Sequence, residues 1–304
     1  MDIRTGLART GGSDSPIDIY YEDMGDENHP PVLLIMGLGA QLVMWPNEFC
    51  EKLVNQGLRV IRYDNRDVGL STKLTGQRSN SGTLPGMVRS FLGRPSPAVY
   101  TLEDLADDAA ALLDHLDIDR AHVVGASMGG MIAQIFAARF PQRTNTLGII
   151  FSSNNQALLP PPGYEQLRAL LQRPTDSTRE AIVANVVRVA KIIGSPGYPR
   201  PEDKLQADAL EGYDRAYYPA GIARHFAAVL GSGSLLHYDR QITAPTVIIH
   251  GKADKLMRPS GGRAIARAIK GARLVLIDGM GHDLPEELWD QIVGELKTNF
   301  AEAS

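Results

Sequence analysis

Ser127 stands where a hydroxyl can become a nucleophile. It lies in Gly125-Ala126-Ser127-Met128-Gly129-Gly130, after an apolar run from Ala121 to Val124 and before a helical stretch from Met131 to Phe140 that Pro141 stops. A Gly-x-Ser-x-Gly pentapeptide at a strand-to-helix turn strains the backbone of its central residue, so the neighbours must be small, as Gly125 and Gly129 are. The hydroxyl then stands at a helix N-terminus, clear of the sheet edge. A serine hydroxyl is a poor nucleophile near neutral pH and needs a base, with an acid to orient that base.

Seven histidines could supply the base. His282 lies in Asp278-Gly279-Met280-Gly281-His282-Asp283, between the last strand and the last helix, where small neighbours leave the imidazole free to reach across a sheet edge. His29 sits in a polar turn, His115 on a helix, and His122 at the start of a strand. His225 and His237 lie in or beside a helical region, and His250 ends a strand and reads as a core residue. The acid is expected at Asp254, just past the strand Thr246–His250, where parallel sheets present functional groups. Asp278 and Asp283 are rivals by proximity, but a carboxylate so near its histidine in sequence rarely reaches the far imidazole nitrogen. The residues after Phe151 are Ser152, Ser153 and Asn154, with no carboxylate.

A tetrahedral oxyanion needs two backbone N–H donors. Met128, directly after the nucleophile, is one candidate. Leu38 in Gly37-Leu38-Gly39 is the other, ahead of Gly37 or Gly39, because glycines let backbone approach closely. The same Gly-x-Gly lacks the third glycine and the acidic residue of a dinucleotide loop.

The elements that position these groups alternate. Strands are expected at Ile17–Tyr21, Val32–Met36, Arg59–Tyr63, Leu147–Phe151, Thr246–His250 and Arg273–Ile277, the first in an antiparallel N-terminal ribbon. Helices are expected at Phe49–Asn55, from Thr101 with Asp104 in a capping box, and over the apolar face Leu288 to Phe300. Residues 76–100, rich in Gly, Ser and Pro, read as a surface excursion. Such alternation implies an α/β fold, a mostly parallel central sheet flanked by helices. Between Ser153 and Leu236 only helical patterns appear, over Glu180–Ile193, Lys204–Gly212 and Ala220–Leu230, after three prolines at 160–162. That stretch is too long for one crossover, so it is expected to be an inserted helical cap, 153–236, on a core of 1–152 and 237–304.

Composition narrows the partners. A net charge of −4 gives no reason to expect nucleic acid or an anionic membrane. No apolar run approaches the ~20 residues of a membrane span, and residues 1–12 lack the apolar core of a secretory signal. The lone cysteine, Cys50, sits among Trp45, Phe49 and Leu53 and reads as a buried structural thiol, so a cytoplasmic location is expected. No metal or organic cofactor is implied, because nucleophile and base are both side chains. A monomer or homodimer acting on a small molecule is expected.

Together these features resemble the α/β-hydrolase superfamily over nearly the whole chain: the Ser127 elbow, the loop Asp64-Asn65-Arg66-Asp67-Val68-Gly69-Leu70-Ser71, and the chain order Ser127, Asp254, His282. Met36-Gly37-Leu38-Gly39-Ala40 with Trp45-Pro46, then Arg62-Tyr63-Asp64-Asn65-Arg66-Asp67, is similar to the aclacinomycin methylesterase-like branch and related bacterial carboxylesterases. Most of the superfamily carries a histidine before the oxyanion glycine, where this chain has Met36. A backbone donor does not depend on that side chain, but the local hydrogen bonding must differ. The resemblance implies a carboxylesterase working through an acyl-enzyme on short to medium apolar acyl esters or methyl esters. The rival readings are a lactonase, C–C bond hydrolase or cofactor-free perhydrolase with the same triad, and a non-catalytic small-molecule receptor.

Overall fold

Continuous apolar runs make the central strands because both faces of the sheet are covered. The computed structural model describes residues 2–11, 16–77, 83–172 and 174–303. Eight strands run in the chain order β1 Ile3–Thr10, β2 Ile17–Met24, β3 Pro31–Ile35, β4 Arg59–Tyr63, β5 Ala121–Ala126, β6 Thr144–Ile150, β7 Thr246–Gly251 and β8 Arg273–Ile277. Their order across the sheet is β1-β2-β4-β3-β5-β6-β7-β8. The first two strands pair antiparallel with each other, and β2 with β4; every later pairing is parallel.

The helices are α1 Asn47–Val54, α2 Thr83–Phe91, α3 Leu102–His115, α4 Met128–Arg139, α5 Tyr164–Leu171, α6 Arg179–Ile193, α7 Glu202–Ala216, α8 Pro219–Ser232, α9 Leu236–Asp239, α10 Pro259–Ala268 and α11 Trp289–Phe300. Period-two alternation within each apolar strand divides the core. Leu33, Ile35, Val123 and Ile248 pack with α3, α4 and α10 on one face. Val32, Leu34, Val124, Val247 and Ile249 pack with α1 and α11 on the other. Each fully buried Leu, Ile or Val side chain contributes roughly 1.5–3 kcal/mol against its exposed state. At the start of α3, Asp104 accepts from the Thr101 backbone N–H at 2.8 Å and from its hydroxyl at 3.1 Å.

The structure adds β1, α2, α5, α9 and α10 to the elements expected from the sequence. Strand β1 is formed by Ile3–Thr10, a stretch too polar to show a strand pattern; an edge position lets such residues face water. Helix α2 occupies part of the 76–100 excursion, whose residues 78–82 lie outside the described residues, as do Met1 and Gly12 of the N-terminal segment. Helix α5 follows the three prolines. Between β6 and β7 the described residues form helices α5 to α9 and no strand. Helices α6 and α7 pack through a small cluster of their own, Val183, Val187, Leu205 and Ala209. No helix among the described residues is long and apolar enough to cross a membrane.

Candidate active site

The chain leaves β5 and enters α4 through Ser127 at φ 56° and ψ −121°, a backbone conformation that L-residues rarely adopt. The crowding that requires it is specific. A Cβ on Gly125 would sit 2.1 Å from the Gly129 carbonyl oxygen, and one on Gly129 would sit 2.0 Å from that of Ile35. The turn is pinned by the Ser127 N–H donating to Ile150 O at 3.0 Å and by the Ser152 hydroxyl donating to Ser127 O at 2.7 Å.

Three predicted side chains meet at this turn. Ser127 Oγ lies 3.0 Å from His282 Nε2, and His282 Nδ1 lies 2.7 Å from Asp254 Oδ2. A carboxylate at Nδ1 assigns the proton there, so Nε2 is free to accept the serine proton. The other Asp254 oxygen, Oδ1, accepts the backbone N–H groups of Leu256 and Met257 at 2.8 and 2.9 Å, which fixes the carboxylate. Asp254 is buried and the imidazole nearly so, with the Phe151 ring 4.7 Å from the imidazole centroid.

The rival carboxylates are engaged elsewhere. Asp278 is an exposed partner of Lys252 at 2.9 Å. Asp283 accepts from the Ser195 hydroxyl, and burial pushes its carboxyl up. His250 is a core residue whose Nε2–H donates to Met257 O at 2.5 Å, and burial pushes its pKa down. His122 bonds Thr146 Oγ1 at 2.9 Å, with burial lowering it to about 4. Cys50 is buried at the Trp45 carbonyl, its thiol pushed up to about 12 by burial.

The Gly37–Gly39 loop follows β3 and faces the elbow: a Cβ on Gly37 would lie 3.0 Å from Ser127 Cβ. Among the described residues, neither the Leu38 nor the Met128 N–H has a hydrogen-bond partner. The Gly39 N–H does, donating to His225 Nδ1 at 3.1 Å, which removes Gly39 from the candidate donors. Where the chain carries Met36, the buried Asn65 amide donates to the Met36 carbonyl at 3.1 Å.

Sequence reasoning missed the groups that hold these loops. Gly281 N–H donates to Ser195 Oγ at 2.8 Å, His282 N–H to Ile193 O at 2.8 Å, and Gly197 N–H to Gly279 O at 2.9 Å. The last residue of α6 and the segment after it therefore strap the His282 loop. On the other side, Arg224 on α8 forks onto the buried Asp67 with two bonds of 2.7 Å, while Arg215 on α7 reaches the buried Asp64 at 2.7 Å. Burial works against the charge of Asp67, yet the bonds from Arg224, Leu74 N–H and Tyr100 outweigh it and hold the carboxyl below its ordinary range. At Asp64, burial wins and pushes the carboxyl up. Both acids lie in the 64–71 loop, whose motif is legible in the sequence, but a lone arginine on or beside a predicted helix gives no sign of its partner.

Comparison with known proteins agrees with this architecture. Rhodomycin D methylesterase DnrP of Streptomyces peucetius is 30% identical over 291 residues, spanning 88% of this chain and 90% of that protein. The poly(3-hydroxyalkanoate) depolymerase of Ectopseudomonas oleovorans is 29% identical, spanning 85% of this chain and 80% of its own. Among solved structures, the enol-lactonase of Burkholderia xenovorans superposes with a TM-score of 0.71 at 24% identity, covering 94% of this chain and 97% of that one. Residues 30–287 match the family described by the alpha/beta hydrolase fold, and the chain belongs to that family as an esterase-type hydrolase.

Proposed function

We propose that the chain hydrolyses a carboxylic ester through an acyl-enzyme, with Ser127 as nucleophile, His282 as base and Asp254 as the acid that orients it. Ser127 Oγ attacks the ester carbonyl carbon while its proton passes to His282 Nε2. Asp254 holds the Nδ1–H and stabilises the imidazolium. The carbonyl oxygen becomes an oxyanion facing the N–H groups of Leu38 and Met128. Collapse breaks the bond to the alcohol, which leaves with the proton from Nε2. Water then attacks the acyl carbon, giving its proton to the same nitrogen, and the acid departs as Ser127 is restored.

The observation that carries this reading is the unbroken hydrogen-bond chain from Ser127 through His282 to Asp254, with the serine at a strained turn. Residues 153–236 are read as a helical cap over a core of 1–152 and 237–304, bearing on substrate choice. Short to medium apolar acyl esters or methyl esters are the proposed substrates, a choice supported by the methylesterase named above. The single buried cysteine suits a cytoplasmic enzyme.

Replacement of the nucleophile tests the mechanism. Ser127→Ala is expected to fold and to lose on the order of a million-fold in turnover, and a fluorophosphonate is expected to label the wild type but not the variant. A folded variant keeping more than about a tenth of wild-type turnover, a barrier change under ~1.4 kcal/mol, would overturn the reading. Ester, lactone and C–C substrates assayed side by side separate the carboxylesterase from its rivals.

A further inference from the structure

We infer that His225, on α8, is a positioning residue for the oxyanion hole: its Nδ1 holds the Gly39 N–H and so, with the Ala40 N–H bond to Gly37 O, fixes the turn that aims the adjacent Leu38 N–H. The inference rests on the esterase reading above, in which Leu38 is one of the two donors.

The loop needs such a tether. Leu38 is flanked by two glycines, and Gly39 sits at φ 67°, in the left-handed region. Glycine restricts its own backbone least of all residues, so the peptide planes on either side of Leu38 have little intrinsic preference. Close to the donor, three bonds restrain the loop: Asn65 to Met36 O, Ala40 N–H to Gly37 O at 3.2 Å, and Gly39 N–H to His225. The Ala40 bond holds the peptide that carries the Leu38 N–H, and the His225 bond alone holds the peptide that follows Leu38, so the orientation of Leu38 between them needs both. Ile222, one turn earlier on α8, packs against Gly39 from the same side; a Cβ on Gly39 would lie 2.8 Å from it.

The ring is built to do this in one form. Its Nδ1 accepts from Gly39, so Nε2 carries the proton and donates to Arg66 O at 2.8 Å. Both nitrogens are committed, with opposite polarity, to backbone atoms of two different loops. The side chain is fully buried, edge-on to Tyr100, and burial lowers its pKa to about 4. It is therefore neutral wherever an esterase would work. A protonated ring would present N–H to N–H at Gly39.

Two near-isosteres separate positioning from plain packing. His225→Asn keeps an acceptor near the Nδ1 position and gives up the bond to Arg66 O. His225→Gln keeps a donor near Nε2 and gives up the acceptor for Gly39. The glutamine variant is expected to lose about a hundredfold in kcat, the scale of a misplacement near 1 Å, with KM within about twofold. Its affinity for a trifluoromethyl ketone that forms a tetrahedral adduct on Ser127 should fall by the same factor. The asparagine variant should stay within about threefold of wild type on both measures. Equal losses in the two variants, or wild-type kcat in the glutamine variant, would mark His225 as a packing residue only. If neither variant folds, the wild-type protein decides: the Gly39 amide should resist hydrogen exchange as the β3 amides do, and exchange at an exposed-loop rate overturns the inference. Ser127→Ala run alongside distinguishes the failures. Turnover in that variant sinks the acyl-enzyme reading, whereas an inactive alanine variant beside a fully active glutamine variant sinks only the role of His225.

Discussion

At the scale of single residues, the division of labour among carboxylates is the sharpest test of the site. Asp254 has one oxygen on the imidazole and the other on two backbone N–H groups, while Asp283, next to the histidine in sequence, turns away to Ser195. Asp254→Asn should keep the fold and lower kcat by roughly ten-thousandfold, because an amide favours the wrong imidazole tautomer. Asp278→Asn should leave kcat unchanged. Steady-state kinetics on one ester would check both, and normal turnover in Asp254→Asn would make another carboxylate the orienting acid. Ser127, His282 and Asp254 were legible because each follows or precedes a clear apolar strand with glycine beside it. His225 was not. Its partner, the Gly39 amide, lies 186 residues away and is a backbone atom, so no pair of side-chain types marks the contact.

At the scale of elements, periodicity found the central strands and the capped helix α3, and it placed helices near α6, α7 and α8. It passed over β1, whose polar residues gain their strand from pairing with β2 rather than from burial. Of the apolar residues in the proposed cap, several have other work. Leu158 and Val186 face solvent, and Val187 packs between α6 and α7. A helical pattern shows that a residue is apolar, not which of two apolar environments it enters. Ile222 lies against Gly39 in the Gly37–Gly39 loop. Ile222→Ala is therefore expected to shift the ratio of long-acyl to short-acyl ester turnover by roughly tenfold, the discrimination of one or two methylenes in an apolar site. Val186→Ala should scale both substrates alike. An unchanged ratio in Ile222→Ala would move the acyl pocket to another face.

At the scale of the whole molecule, one buried acid ties stability to pH. Asp239 on α9 accepts from Asn154 Nδ2 at 2.7 Å, and burial raises its pKa to about 7. The folded state thus holds this proton more tightly than the unfolded chain does, so stability falls as pH rises from the ordinary carboxylate range through 7 and then levels off. Asp239→Asn removes that loss. Its unfolding midpoint should lie near wild type at pH 4 and several degrees above it at pH 8; thermal melts at the two values decide, and a constant offset would refute the titration. The strap between Ile193–Gly197 and Gly279–Asp283 has a consequence for how this architecture can vary. The Ile193 carbonyl at the end of α6 holds the peptide that carries the imidazole, the Ser195 hydroxyl holds the one before it, and α8 reaches the loop opposite. Helices 164–232 are therefore no interchangeable cassette. A chimera that imports a relative's helices to change substrate is expected to lose turnover unless the junction at 193–197 and the histidine of α8 travel with their partner loops.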